Sequence, residues 1–326
     1  MKKYLKAVIV VLSIIMILSL TACAEKGDKK LSIGIIQYAE HNALDAAREG
    51  FIDALADNGY KEGENISIDY QNAQADPNNL STISDRFVSN KVDLVLAIAT
   101  DAAQSIAGKT TEIPILGTAI TDYEVARLVD SNESPGGNVS GTTDMNPIKE
   151  QIDLLVQLVP EVKTVGVLYT SSEDNSILQA QIAKKEIEAK GLTYTEVTIS
   201  NSNEVQQATQ AIVGQCDAIY IPTDNVFASA MPVVYGVTSQ SKTPVICGEK
   251  GMVYSGGLAT LGIDYYKLGY QTGLMAVRIF QEGAKPAEMP IESQTEYELI
   301  INGAVAEKIG LEVPAELQKY VVEVEE

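Results

Sequence analysis

One pattern of strands and helices occurs twice in this chain, about 130 residues apart, and that repetition limits what it can fold into. In the first copy, apolar runs of strand length lie at 31–36, 66–70, 93–99 and 114–118, and helical spacing lies at 43–58, 79–90 and 102–109. In the second copy, strands are expected at 164–169, 193–198, 217–221 and 244–247, and helices at 175–190, 204–213 and 227–240. The match extends to single residues. Gly34 and Gly166 are 132 positions apart, and so are Gly59 and Gly191, which both suit a helix end. IATDAA at 98–103 echoes IPTDNV at 221–226, and EIPILG at 112–117 echoes TPVICG at 243–248. Alternating strands and helices imply parallel sheets covered on both faces. Doubling of the pattern implies two lobes of like fold. The stretch SPGGNVSGTTDMNP at 134–147 is rich in Gly, Pro and Asn and suits a crossover between them. GGLATLGIDYY at 256–266, a helix at 268–281 and a strand at 297–301 follow the second copy. The chain is therefore expected to cross more than once, which makes a hinge with a defined axis.

The first residues carry an address. Lys2, Lys3 and Lys6 flank the start of an apolar run at 7–20, and Leu20, Thr21, Ala22 and Cys23 follow. A basic start, a short apolar run and small residues before a cut site predict a signal peptide over 1–22. The run falls short of the roughly 20 residues of a comfortable transmembrane helix. Leu-Thr-Ala-Cys resembles the bacterial lipobox, which implies lipidation of Cys23 and a polar tether over 23–30. The net charge of −20 becomes more acidic once the three lysines are removed. So acidic a chain argues against nucleic-acid partners and against electrostatic attachment to anionic lipid, leaving the lipid as the only tether. Cys216 and Cys247 lie in or beside strands and read as buried free thiols, with a disulfide left open. A single histidine excludes His-pair metal sites, and neither metal nor cofactor is expected. GxSxG, Walker A and GxGxxG motifs are absent, and catalysis is not expected.

In an open parallel sheet, ligands bind beyond the carboxyl ends of the strands. Two facing lobes would line a cleft with those ends. The candidates in the first lobe are Gln37, Tyr38, His41, Thr100, Thr118 and Asp122. In the second they are Glu173, Asn175, Ser176, Asp224, Asn225 and Glu249. Thr100, Asp101, Asp174 and Thr223 suit helix capping equally well. The only cations in these segments are Lys250 and, if protonated, His41. Hydroxyls and helix N-termini attract a carboxylate, and a nearby acid takes an ammonium, so the inventory fits a zwitterion. The carboxylate is expected near Thr100, Thr118 and Ser176. Asp224 is the first choice for the ammonium, with Glu173 and Asp122 next.

The stretches GIIQYAEHNALD, IATDAAQ, AITD, PGGNVSGTTDMNP, LYTSSEDNS, IPTDN and GGLATLGIDYYKLG carry a family resemblance from about residue 30 to 310. Together they resemble the type I substrate-binding lipoproteins of ABC importers, in the branch that binds tryptophan and other aromatic amino acids. The resemblance implies two Rossmann-like α/β lobes, no enzyme chemistry, an extracytoplasmic monomer anchored by lipid, and delivery of solute to an ABC permease. Tyr38, Tyr123, Tyr169 and Phe227 are the aromatics available near the cleft. Asn42 and Asp101 stand where the family commonly has proline. The expected division is 31–144 plus about 265–288 for lobe one, and 145–264 plus about 289–326 for lobe two. Two other readings stay open: a sensory ligand-binding module, and a sugar or nucleoside binder on the same fold.

Overall fold

The computed structural model describes residues 30–324. The expected signal segment and Cys23 lie outside the described residues. Strands β1 (Leu31–Gln37), β2 (Ile66–Asn72), β3 (Leu94–Ile98), β4 (Ile115–Ile120) and β5 (Val139–Thr143) come first along the chain. They alternate with helices α1 (Asn42–Asp57), α2 (Pro77–Asn90) and α3 (Thr100–Ala107). After α4 (Ile148–Leu158) come β6 (Thr164–Thr170), β7 (Thr193–Ile199), β8 (Ala218–Ile221), β9 (Val245–Cys247) and β10 (Ala259–Gly262). These alternate with α5 (Asp174–Ala189), α6 (Val205–Ile212), α7 (Asn225–Ser229), α8 (Met231–Ser241) and α9 (Lys250–Tyr254). The chain ends with α10 (Tyr265–Glu282), β11 (Glu292–Ser293), β12 (Glu298–Asn302), α11 (Gly303–Ile309) and β13 (Val321–Val322).

Two sheets result. The first has the order β11-β5-β4-β3-β1-β2, and the second β13-β12-β10-β9-β8-β6-β7. The run β2-β1-β3-β4-β5 corresponds strand for strand to β7-β6-β8-β9-β10, so the repetition read in the sequence is a repetition of topology. Pairing is parallel throughout except between β10 and β12. Helices cover both faces, which is why β3 and β4 are buried along their whole length and read as continuous apolar runs. Each sheet anchors its own apolar core.

The chain crosses between the sheets three times: between β5 and α4, between β10 and α10, and between β11 and β12. Helix α10 buries Leu268, Met275 and Ala276 in the core of the first sheet. Sheet membership keeps the chain with the first lobe through Ser293, a few residues beyond the expected boundary at 288.

One expected helix is two. The pattern at 227–240 breaks at Ala230, where φ −108 and ψ 13 leave the helical region, giving α7 and α8. Pro232 at the start of α8 has no N–H to continue the ladder from α7. β5, α4, α9 and α11 have no counterpart in the sequence reading. Both described cysteines are free thiols, and no described helix is long and apolar enough to cross a membrane.

Candidate functional site

The parallel strands end facing one another, and the lobes enclose a small cavity between those ends. The first lobe supplies His41, Leu44, Ala119, Thr121, Asp144 and Tyr265 to its wall. The second supplies Asn175, Thr223, Asp224, Asn225, Ala228 and Glu249. No lysine or arginine lines it. The lobes also touch directly. The His41 ring Nε2 lies 3.2 Å from Asn225 Oδ1, and Gln179 Nε2 donates to Thr121 Oγ1 at 3.0 Å. Gln104 Nε2 donates to Asp174 Oδ2 at 3.0 Å, and Ser229 Oγ donates to the carbonyl of Glu40 at 3.1 Å. This is a closed conformation.

One pole of the site is acidic and crosses the cleft. Glu173 is fully buried and accepts from the N–H groups of Asn225 (3.2 Å) and Val226 (3.3 Å). It also accepts from Asn225 Nδ2 (2.7 Å) and Asn175 Nδ2 (3.2 Å). Asp224 caps α7 and accepts from Phe227 N and Thr170 Oγ1, both at 2.9 Å, and from Thr170 N at 2.6 Å. Burial raises the carboxyl pKa of Glu173 well above its ordinary value, and the charges of Asp224 and Asp101 raise it further. Burial also raises Asp224, against the hydrogen bonds it accepts from Phe227, Thr170 and Ser176. Asp101, from the first lobe, is raised to about 6 by burial and then by Asp174. The same carboxylates, after burial itself, raise the Tyr38 hydroxyl. These groups repel one another, and the arrangement favours a cation brought in from outside.

A second pole lies around Tyr265, whose hydroxyl donates to Asp144 Oδ2 at 2.7 Å. Asp144 also accepts from Thr121 Oγ1 at 3.1 Å, and burial raises its pKa. Glu249 caps α9, accepting from Met252 N at 2.8 Å and from Gly251 N. Burial pushes it up to about 7. Leu44, Ala119 and Ala228 are the apolar side chains of the cavity wall.

Helix starts face the cleft from both sides. Side chains cap α7 and α9 from within. No side chain caps α1, α3 or α5. Their first N–H groups are free to meet an anion.

Of the residues expected from sequence, His41, Asn175, Asp224, Asn225 and Glu249 line the cavity, and Glu173 and Ser176 stand directly behind them. Tyr38 lines a groove at the cleft edge with Ser172 and Asn201. Thr100 is the buried first residue of α3. Three others are committed elsewhere. Gln37 donates to Ala39 O and Asp45 and accepts from Arg48. Thr118 accepts from Thr142, whose hydroxyl meets Thr272 of α10 at 2.8 Å, so it belongs to a buried hydroxyl ladder. Asp122 accepts from the N–H groups of Glu124 and Val125 in its own turn. Asp224 lines the cavity while it also accepts from the cap donor Phe227 N and from Thr170 of the neighbouring strand. Asp144 falls in the stretch that reads as a crossover and Tyr265 in the chain after the second copy, and the wall of the cavity includes both. Among the described residues, no group of three or more His, Cys, Asp or Glu side chains could hold a metal ion.

Known proteins resemble the chain over nearly its whole length. It is 44% identical over 294 residues to a tyrosine-binding protein of Clostridioides difficile, covering 90% of this chain and 85% of that one. A structure of an ABC domain in complex with L-Trp from Streptococcus pneumonia superimposes with a TM-score of 0.87 at 38% identity, covering 90% of this chain and all of that one. The ligand-free, open structure of a substrate-binding protein with adhesive properties from Clostridium difficile is 43% identical, with the same coverage, yet its TM-score is 0.69. Identity does not order these two scores, and the lower one belongs to an open structure. Residues 32–325 match the family described as ABC transporter substrate binding protein, a family that captures solutes outside the cytoplasm and does no chemistry on them. The chain belongs to the ABC transporter substrate-binding proteins.

Proposed function

We propose that this protein captures an aromatic α-amino acid, L-tyrosine or L-tryptophan, and hands it to the permease of an ABC importer. The observation that carries the reading is the cavity itself: closed between two lobes, acidic at both poles and without a lysine or arginine in its wall. An ammonium suits the pole around Glu173. The carboxylate suits the uncapped first turns of α1 and α5, which enter the cavity through Leu44 and Asn175. The side chain then lies along Leu44, Ala119 and Ala228. Its phenolic O–H or indole N–H reaches the acidic pole at Asp144 and Glu249. The relatives that bind tyrosine and L-Trp support this choice. The protein acts as a monomer, tethered outside the membrane by lipid on Cys23.

Titration calorimetry tests the ligand. L-Tyrosine and L-tryptophan should bind, and L-phenylalanine, lacking the distal donor, should bind weaker by about tenfold or more. Equal binding of all three would remove the role given to Asp144 and Glu249, and binding of none would remove the aromatic reading. Cys23→Ala should abolish fatty-acid labelling in cells; persistent labelling would overturn the anchor.

A further inference from the structure

Two buried polar atoms in the cavity wall have no hydrogen-bond partner among the described residues, and they come from opposite lobes. They are His41 Nδ1 and Asn175 Oδ1. The chemistry of each follows from its neighbours. Asn175 Nδ2 faces the carbonyl of Thr223 at 2.9 Å and Glu173 Oε2 at 3.2 Å, both of them acceptors. That end of the amide must be the NH₂ group, so the bare end is the oxygen. Asn175 is 6% exposed.

The histidine is fixed by a longer relay. With an ammonium at hand Glu173 is ionised, and as a carboxylate bound by the backbone N–H groups of Asn225 and Val226 it can only accept. Asn225 therefore turns its NH₂ toward Glu173, at 2.7 Å, and its oxygen toward His41, at 3.2 Å. The ring must carry its proton on Nε2, which leaves a lone pair on Nδ1. The ring is neutral, because burial lowers its pKa to about 4. The cavity thus offers two acceptors, and their complement is a group with several donors.

Resting on the amino-acid reading above, we propose that His41 Nδ1 and Asn175 Oδ1 together accept hydrogen bonds from the ligand's ammonium, and that Glu173, through Asn225, is the positioning residue that selects the histidine tautomer. His41 meets Asn225 only across the closed cleft. Closure and the tautomer competent for binding are therefore one event, and the ammonium ties one lobe to the other. The surrounding carboxylates supply the field; these two neutral atoms supply the contacts.

The test uses the full chain and its single histidine. The probes are L-tyrosine, L-tryptophan and the deaminated analogue of L-tyrosine, with the other protein amino acids as a panel. The unmodified protein should prefer L-tyrosine over its deaminated analogue by about a hundredfold, the range for hydrogen bonds to a charged group. His41→Phe and Asn175→Ala should each shrink that ratio by about tenfold or more. The ratio isolates the ammonium, since both probes share everything else. In the unmodified protein, nitrogen-15 NMR of His41 should show the Nε2–H tautomer in the complex, with the Nδ1 resonance shifting on saturation. Glu173→Gln should mix the tautomers and lower the ratio without removing a ligand contact. An Nδ1 resonance unmoved by saturating amino acid, or a ratio unchanged in both cavity variants, overturns the inference while leaving amino-acid binding intact. If another amino acid binds in place of the aromatic ones, the aromatic reading fails and the same ratio is measured with that ligand. If no amino acid in the panel binds, both readings fall together.

Discussion

Ala99 holds a backbone conformation, φ 83 and ψ 159, that is almost reserved for glycine. It lies where β3 turns into α3 at the cleft edge. The neighbours that keep it there are Thr118, whose carbonyl accepts its N–H at 3.0 Å, and Ala103, whose N–H donates to its carbonyl at 3.2 Å. Ala99→Gly should relieve the strain and raise stability by about 1 kcal/mol, after the entropy glycine loses is subtracted. Chemical denaturation measures it, and a loss of stability would show that the methyl group packs productively. Single residues were the least legible scale in the sequence. His41, Asn175, Asn225 and Glu249 follow recognisable strands, so their place at the cleft could be read. Asp144 could not, because β5 was not recognised: VSGTT is short, contains Gly141 and sits in a stretch that reads as a linker. Thr118 differs for another reason. The apolar run reads as ending there, but β4 continues to Ile120, and the Thr118 hydroxyl meets Thr142 in the ladder to α10, because side chains along a strand alternate between faces.

Helices α1 and α10 meet backbone to backbone. A Cβ on Gly269 would lie 1.8 Å from the carbonyl oxygen of Ala47, and one on Gly50 would lie 2.0 Å from that of Tyr266. No side-chain rotation relieves such a clash, so Gly269→Ala must push the helices apart. The contact also sets the site. His41 is the N-cap of α1, and Tyr265 is the first residue of α10. Gly269→Ala should cost about 1–3 kcal/mol and weaken amino-acid binding as well. Gly214→Ala, where an added Cβ meets nothing within 4 Å, is the control and should be near neutral. Thermal unfolding and calorimetry on the pair decide it; equal behaviour would deny the helix contact any role. At this scale the sequence was far more legible. Strand and helix order repeated visibly because burial on both faces writes continuous apolar runs. The break before Pro232 escaped because the apolar periodicity continues across it.

The whole molecule couples closure to protons. Asp101 has a carboxyl pKa of about 6 in the closed form, raised by burial. An ammonium at the neighbouring Glu173 pole would draw that value down, so its entry into the closed form should release protons near pH 6. His41 acts in the same direction: burial holds its pKa at about 4, against an ordinary 6.5, so a protonated ring must lose its proton to take up this form. Affinity should therefore be highest at about pH 8 and fall steadily toward about pH 5. Calorimetry in buffers of different ionisation heat would show the release, and flat affinity across that range would contradict it. Small-angle scattering should show a smaller radius of gyration with L-tyrosine or L-tryptophan than without, since three crossings permit one hinge motion. An unchanged radius at saturation would remove the closing motion.

Those three crossings also impose an order on biosynthesis. The first sheet is complete only when α10 and β11 arrive, more than a hundred residues after β5 has been made. Until then the face of α1 around Ala47, Gly50 and Ala54 has nothing to lie against, and the N-terminal half of a nascent chain carries an open apolar surface. The lobe made first cannot be the lobe finished first. Chains halted before residue 265 should remain sensitive to protease in their first 144 residues, and resistance there should appear only once residue 293 has emerged.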